Sequence, residues 1–484
     1  MKHAAAASPV PQGLAALVSN VRASPGFWDP SPLASIGLVA VLSVLALSGS
    51  AWGRSKEHAA RSVYVFLHFT WNLLYTIVIL DSKDLCARMG MSAADSGHMV
   101  GMSYLGMAVG ATGMWLLLRQ RPELWRSASR IVLASGTGCQ LLTSGVYTYV
   151  VMASAGGGGL ATLLVASRFV QGVGAGSNMQ FYMATSLCLT EVAERPNFSM
   201  SVVLGGTAGC GFGLVFSAFL SSAHTAVAQV AAAVASVVAL LLVHPCLADL
   251  EDRRAASPAG GELEVEEEEA GSRKVLIVGV TLIGCVRKAM WGAMEVAPAL
   301  LLKDAFRWDR RDAGLATGAA LLGTIPARIL YSSASSALPP RQWIRLLAVL
   351  VIAGLVFCFE ATCDLGASVG IPPAGLLMCS LAVCLAFLFL LEGLLVGTMQ
   401  QHVLPSGPFD GNHSQLWYIM ALGTGGFLGP WASRLAIQER GQDAFAGGQI
   451  ATALAFAAVF EAMVAPRMQS FPAAATKWAR QPTP

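Results

Sequence analysis

Charge is what this chain has least of. Only 12% of its 484 residues are Asp, Glu, Lys or Arg, and the formal net charge is +3. A balance so small and dispersed does not provide the basic surface that nucleic acid binding requires, so no nucleic acid partner is expected. Close cysteine pairs are missing as well. Ten cysteines are present, most inside apolar stretches, and no two have the spacing of a metal or redox pair. The eight histidines are scattered and no catalytic triad is legible. The reading is therefore not an enzyme, with no catalytic residues, no metal ligands and no cofactor.

What the chain has in abundance is apolar sequence, and it comes in about a dozen long runs. Runs 131–151 and 200–220 hold no charge at all and are long enough to cross a bilayer, which takes roughly 20 residues. Apolar residues make up 55% of the total, and the charges fall mostly in the gaps. Backbone facing lipid must bond within its own segment, so the spans are read as helices. Membrane β-strands would be shorter and would alternate, which these runs do not.

After Arg61 the runs form two groups, near 62–81, 96–118, 129–152, 159–187, 198–221 and 224–245, then 275–303, 312–336, 342–360, 371–399, 413–434 and 444–466. The expected fold is an all-α polytopic membrane protein, two six-helix halves in a 12-helix bundle. The halves are placed at 61–245 and 275–466, joined by an acidic cytosolic linker at 246–274 that is too polar to fold alone. Residues 1–32 read as a disordered or targeting leader and 467–484 as a cytosolic tail. Run 33–52 could add a transmembrane helix, lie at the interface, or belong to the leader; its length favours a span. Lys and Arg cluster around Arg54, Arg119, Arg341 and Arg467, which places those segments on the cytosolic side. Segment 303–312 breaks the pattern, being basic where an outward-facing loop is expected.

Intramembrane charge is costly, so it marks candidate sites. In the fourth run, Arg168, Gln171, Asn178 and Tyr182 recur at helical spacing and share a face. Gly172, Gly174 and Gly176 beside them mimic a nucleotide-binding loop but lack its strand–loop–helix context, and close helix approach explains them better. Arg168 reads equally as a functional cation or a structural clamp. In the seventh run, Arg287, Lys288, Trp291 and Glu295 offer an anion-attracting or proton-carrying group, or else a salt-bridged gate. His68 and Asn72 form a polar stripe in the first run; Arg328 and Glu392 complete the main intramembrane charges.

These residues resemble the major facilitator superfamily. The similarity runs from Arg168-Phe-Val-Gln-Gly172 through Tyr182, Glu194-Arg195, Leu204-Gly-Gly and Gly211-Phe-Gly213, again from Glu295 through Pro298, Trp308 and Gly314, and at Gly423-Thr-Gly-Gly-Phe-Leu-Gly429-Pro430. The nearest branch by these motifs is the one holding lysosomal facilitator-type proteins and the transporter part of SPX-type carriers, which implies an organellar rather than a plasma membrane. The family's latch between spans two and three is incomplete: Gly113 is followed by Arg119 and Arg121 without the usual aspartate. The resemblance and the two-half layout together imply alternating-access secondary transport of a small solute, and the intramembrane charges raise an anion and proton coupling as candidates. The alternatives are a channel-like ion conductor or a non-transporting membrane assembly or structural partner. Expected partners are membrane lipid and a small-molecule or inorganic-ion solute.

Overall fold

The computed structural model describes residues 56–121, 129–153, 158–190, 194–256, 267–404 and 407–468. The leader, the 33–52 run and the tail beyond 468 lie outside the described residues, as does the middle of the acidic linker. The N-terminal half comprises α1 (Lys56–Thr76), α2 (Ile79–Arg88), α3 (Ala93–Gln120), α4 (Ser129–Met152), α5 (Gly158–Leu189), α6 (Arg195–Phe219) and α7 (Ser222–Ala256). The C-terminal half comprises α8 (Glu267–Asp304), α9 (Arg310–Leu322), α10 (Thr324–Ala334), α11 (Pro340–Val356), α12 (Glu360–Ser368), α13 (Pro373–Gln401), α14 (Gly411–Arg440) and α15 (Gln442–Val459). Pairs α1/α2, α9/α10 and α11/α12 are each one apolar run broken partway, so the described helices form twelve rods. The last pair bends by 73°. Among the described residues the β-structure is a single isolated bridge, Leu404 to Asp410.

Seven rods are individually long and apolar enough to cross a membrane, or eight if the bent pair counts as one span. The protein is thus a multi-pass membrane protein. Length is not what separates the remaining rods from these. In α14, thirty residues long, Ser414, Gln415, Ser433 and Arg434 are buried polar groups on a helix packed inside the bundle. Helix starts follow local chemistry. Ser92 caps α3 in a reciprocal box, its hydroxyl accepting from the Asp95 amide (3.1 Å) while the Asp95 carboxylate accepts from the Ser92 amide (2.8 Å). Asp410 caps α14 through the His413 amide at 2.9 Å. The acidic run that reads as linker does not end before the seventh rod: Glu267, Glu268 and Glu269 form the first turn of α8, where carboxylates suit the helix dipole.

The two halves repeat one packing scheme. In the first, α1 packs on α6 and α7, α3 on α5, and α4 on α5 and α7. In the second, α8 packs on α14 and α15, α9 and α10 on α13, and α11 on α13 and α15. The halves meet where α3 packs on α14 and α6 on α9. Glycines dictate the closest approaches. A Cβ at Gly106 or Gly110 of α3 would fall on the carbonyls of Phe169 or Val173, and one at Gly172 or Gly176 of α5 on those of Ser103 or Met107. These two helices touch backbone to backbone, which is the use of small residues expected from the glycine spacing. The repeat extends to α6, whose Gly209 sits on the Phe69 carbonyl of α1, and to its counterpart α14, whose Gly425 sits on the Cys285 carbonyl of α8.

The α3–α5 contact generates a stability prediction. Gly172→Ala should destabilise the solubilised protein by about 1–3 kcal/mol, the usual penalty for overpacking, because the obstacle is backbone. Gly138→Ala, with open space around its Cβ position, should leave the thermal unfolding midpoint unchanged or slightly raised.

Candidate functional site

A narrow central cavity lies between the halves, with room for about 30 Å³, roughly one water. His68, Trp71 and Asn72 of α1 line it from one side, Lys288 and Trp291 of α8 from the other. Tyr104 of α3, Thr207 and Cys210 of α6, and Glu392 of α13 complete its polar wall. His68 Nδ1 is 2.8 Å from the Tyr182 hydroxyl, so its other ring nitrogen is the one left for the cavity. Asn72 donates to the His68 carbonyl (2.8 Å) and accepts from Cys210 Sγ (3.4 Å).

Lys288 is the distinctive group here. It is buried, and among the described residues no carboxylate lies within 4 Å of its ammonium. Instead Nζ sits 4.4 Å from the centroid of the Tyr104 ring and 5.6 Å from that of Trp291. Tyr104 is itself packed edge-on against Tyr75 (4.8 Å) and Trp71 (5.3 Å). An aromatic face holds an ammonium by its quadrupole without neutralising it, so the positive charge remains available to a ligand. Its neighbour Arg287 is spent, in an ion pair with Glu392 at 2.8 Å. Glu295 stands behind the cavity wall. It accepts a hydrogen bond from Trp291 Nε1 at 2.5 Å, and its second oxygen has no hydrogen-bond partner among the described residues.

Five of the residues singled out from sequence therefore line the cavity: His68, Asn72, Lys288, Trp291 and Glu392. Tyr182, Arg287 and Glu295 touch that wall from behind. The α5 face does not act as a unit. Arg168 donates to the carbonyls of Leu74 (3.2 Å) and Tyr75 (3.1 Å) and to Gln171 Oε1 (2.5 Å). Those carbonyls adjoin the break between α1 and α2, where the helical ladder stops after Ile77 bonds to Leu73. The contacts of Arg168 are thus backbone carbonyls of α1 and the side chain of Gln171. Asn178 faces α4, donating to Thr137 at 3.2 Å. Arg328 is half-buried at the α10–α6 edge, with a long 3.5 Å contact to Asn197, and does not reach the centre.

Sequence reading missed the closures on either side of this cavity. At the end away from the basic clusters, Lys83 pairs with Asp304, Lys303 with Asp84 (3.0 Å) and Arg310 with Asp81 (2.7 Å), each across the halves. Arg434 of α14 adds a buried clamp there, donating to Ser82 (2.9 Å) and Ser96, with a longer 3.4 Å bond to the Ile79 carbonyl. The lock accounts for the basic 303–312 segment that defied the charge bias: its cations answer acids on α2. At the opposite end Arg195 donates to the Gln400 carbonyl (2.9 Å), Ser199 to Gln400 Oε1 (2.6 Å) and Gln180 to the Asn412 carbonyl (3.2 Å). Contacts between the halves thus bridge the seam at both ends. The exposed pair Lys83–Asp304 is worth only about 0.2–1 kcal/mol, compatible with a gate that opens. Among the described residues no group of three His, Cys, Asp or Glu gathers as a metal site.

The Arg287–Glu392 pair carries the second prediction. Arg287 is fully buried and Glu392 half-buried, so Glu392→Ala, which leaves the guanidinium alone, should cost about 3–5 kcal/mol of stability and Arg287→Ala less. Combining Arg287→Ala with Glu392→Ala should recover much of that loss in a double-mutant cycle of unfolding midpoints, whereas independent effects would simply add.

No family model matches the chain, and no curated protein sequence does either. Solved structures do resemble it. The human organic anion transporter MFSD10 (TETRAN) is 14% identical, with 84% of this chain and 100% of that one covered, at a TM-score of 0.54. A bacterial homologue of the iron transporter ferroportin, in an outward-facing state, is 14% identical over 84% of this chain and 98% of that one, at 0.57. The xylose transporter XylE from E. coli, in a partially occluded inward-open conformation, is 12% identical over 85% and 98%, at 0.59. Identities this low speak to architecture alone, and the architecture of this chain is the major facilitator fold.

Proposed function

We propose that the protein is a secondary transporter working by alternating access, and that its solute is a small anion. The observation that carries this reading is the polar cavity on the seam between two repeated halves, with contacts that cross between them at both ends. Breaking one set of bridges while keeping the other exposes the centre to one side at a time. A channel-like conductor would need a continuous path, which a doubly bridged seam does not supply. Support for a transporter also comes from the fold neighbours, all named as transporters, one of them of organic anions.

Lys288 would hold the anion. Its ammonium is the cavity's one lining cation among the described residues and has no counter-ion in contact. Asn72, Thr207 and the free nitrogen of His68 would orient the bound group. Glu295 provides the coupling. Its carboxylate accepts from Trp291, which lines the cavity with Lys288, and its second oxygen, without a hydrogen-bond partner among the described residues, would carry the proton that accompanies the anion. Glu392 is a weaker coupling candidate because Arg287 already neutralises it. An organellar membrane and the lysosomal and SPX-type branch remain part of this proposal on the strength of the sequence motifs, and localising a tagged full-length chain tests the former.

Proteoliposomes decide the matter. Uptake of radiolabelled small carboxylates and inorganic anions should saturate, show counterflow and rise with an inward proton gradient. Lys288→Ala should abolish it, while Glu295→Gln should preserve counterflow and remove the response to the gradient. Ohmic currents without counterflow would instead establish a conductor.

The gate has its own test. Joining Lys83→Cys to Asp304→Cys by oxidation should stop transport by holding one end shut, and thiol reduction should restore it. Transport undiminished in the cross-linked protein would overturn alternating access at this seam.

A further inference from the structure

A second cavity lies away from the central one. A pocket of about 520 Å³ opens at the basic end of the seam, where the last turns of α3 meet the first turn of α14 and the loop before it. Trp115, Leu118 and Arg119 line it from the N-terminal half, and Pro408, Asn412 and His413 from the C-terminal half. Arg119 is exposed, and among the described residues no carboxylate lies within 4 Å of it; its guanidinium lies 5.3 Å from the Trp115 ring centroid. Trp115 in turn meets the edge of His413 at 5.1 Å. Asp410, at the start of the helix that lines the pocket, is occupied: it caps α14 and faces His413 Nδ1 at 3.0 Å.

The surroundings distinguish what would fill this space. Leu116 and Leu117 on α3 and Trp417 on α14 are exposed apolar residues beside the pocket, and the Trp417 indole is pinned to the Pro408 carbonyl at 3.3 Å. A cation, two indoles and an apolar flank at a helix end are the features of the membrane–water interface. A soluble anion would use the cation and leave the apolar flank uncovered.

We propose that this pocket seats the phosphate headgroup of an anionic phospholipid, with its acyl chains lying along the exposed face of α3. Arg119 bonds the phosphate, the indoles frame the headgroup, and the lipid spans both halves at the cytosolic end of the seam. The bound lipid therefore ties α3 to α14 next to the Gln180–Asn412 bridge. This site does not depend on which solute, if any, the central cavity carries.

Native mass spectrometry of the full-length protein in detergent tests the proposal by direct binding. Phosphatidylglycerol should be retained as a discrete adduct and phosphatidylcholine should not. Arg119→Gln should weaken phosphatidylglycerol retention about tenfold, the scale of one charge-assisted contact. Asn412→Trp, at a half-buried lining position, should block the pocket with Arg119 intact, which covers the case of a poorly folded Arg119 variant. Arg311→Gln, at the opposite end, should change nothing. Retention unchanged in both pocket variants would overturn the site. Displacement of the lipid by millimolar inorganic phosphate would overturn the lipid reading and leave a soluble-anion site.

Discussion

A polar group inside a bundle of apolar helices has no water to turn to, so its partner must come from the protein itself. Much of what is distinctive in this molecule follows from that constraint. The first rod breaks after Thr76, and the carbonyls of Leu74 and Tyr75 would be left bare; Arg168 reaches across from α5 to satisfy them. Arg434 does comparable service near the same break from the other half, through Ser82, Ser96 and Ile79. Two of the most deeply buried cations in the chain thus serve to hold one bent rod in shape, and that rod carries His68, Trp71 and Asn72 into the cavity.

The same constraint sorts the remaining buried charges. Arg287 is matched by Glu392, and Glu295 has the indole of Trp291. Lys288 alone is held by rings rather than by a carboxylate. Aromatic faces lower the cost of burying the ammonium while leaving its donors open, which separates a binding group from a structural one. The three cations thus differ in what faces them: backbone carbonyls and Gln171 for Arg168, a carboxylate for Arg287, aromatic rings for Lys288.

The closures differ in chemistry at the two ends. One uses ion pairs between long, partly exposed side chains; the other uses hydrogen bonds onto backbone carbonyls and glutamine. Exposed ion pairs contribute little each and are weakened by salt, whereas the Ser199–Gln400 bond is buried. The two ends of the seam should therefore respond differently to ionic strength.

The class and the helical rods were legible in the sequence, because bilayer thickness fixes the length of an apolar run. The sequence also marked Lys288, Glu295 and Glu392 by the cost of their charge. Partnership was beyond its reach. That Arg168 would turn to a neighbouring helix's carbonyls, that Asn178 would face α4, and that Arg328 would stay at the edge depended on contacts between rods distant in sequence. Arg434 escaped notice because it sits at the end of an apolar run, where an arginine ordinarily reaches water. The aromatic bed of Lys288 and the lock around Asp81 exist only once the halves are docked, since each draws its groups from both of them. Helical periodicity orders residues along one rod and says nothing of the rotation and depth at which another rod meets it; packing alone sets those.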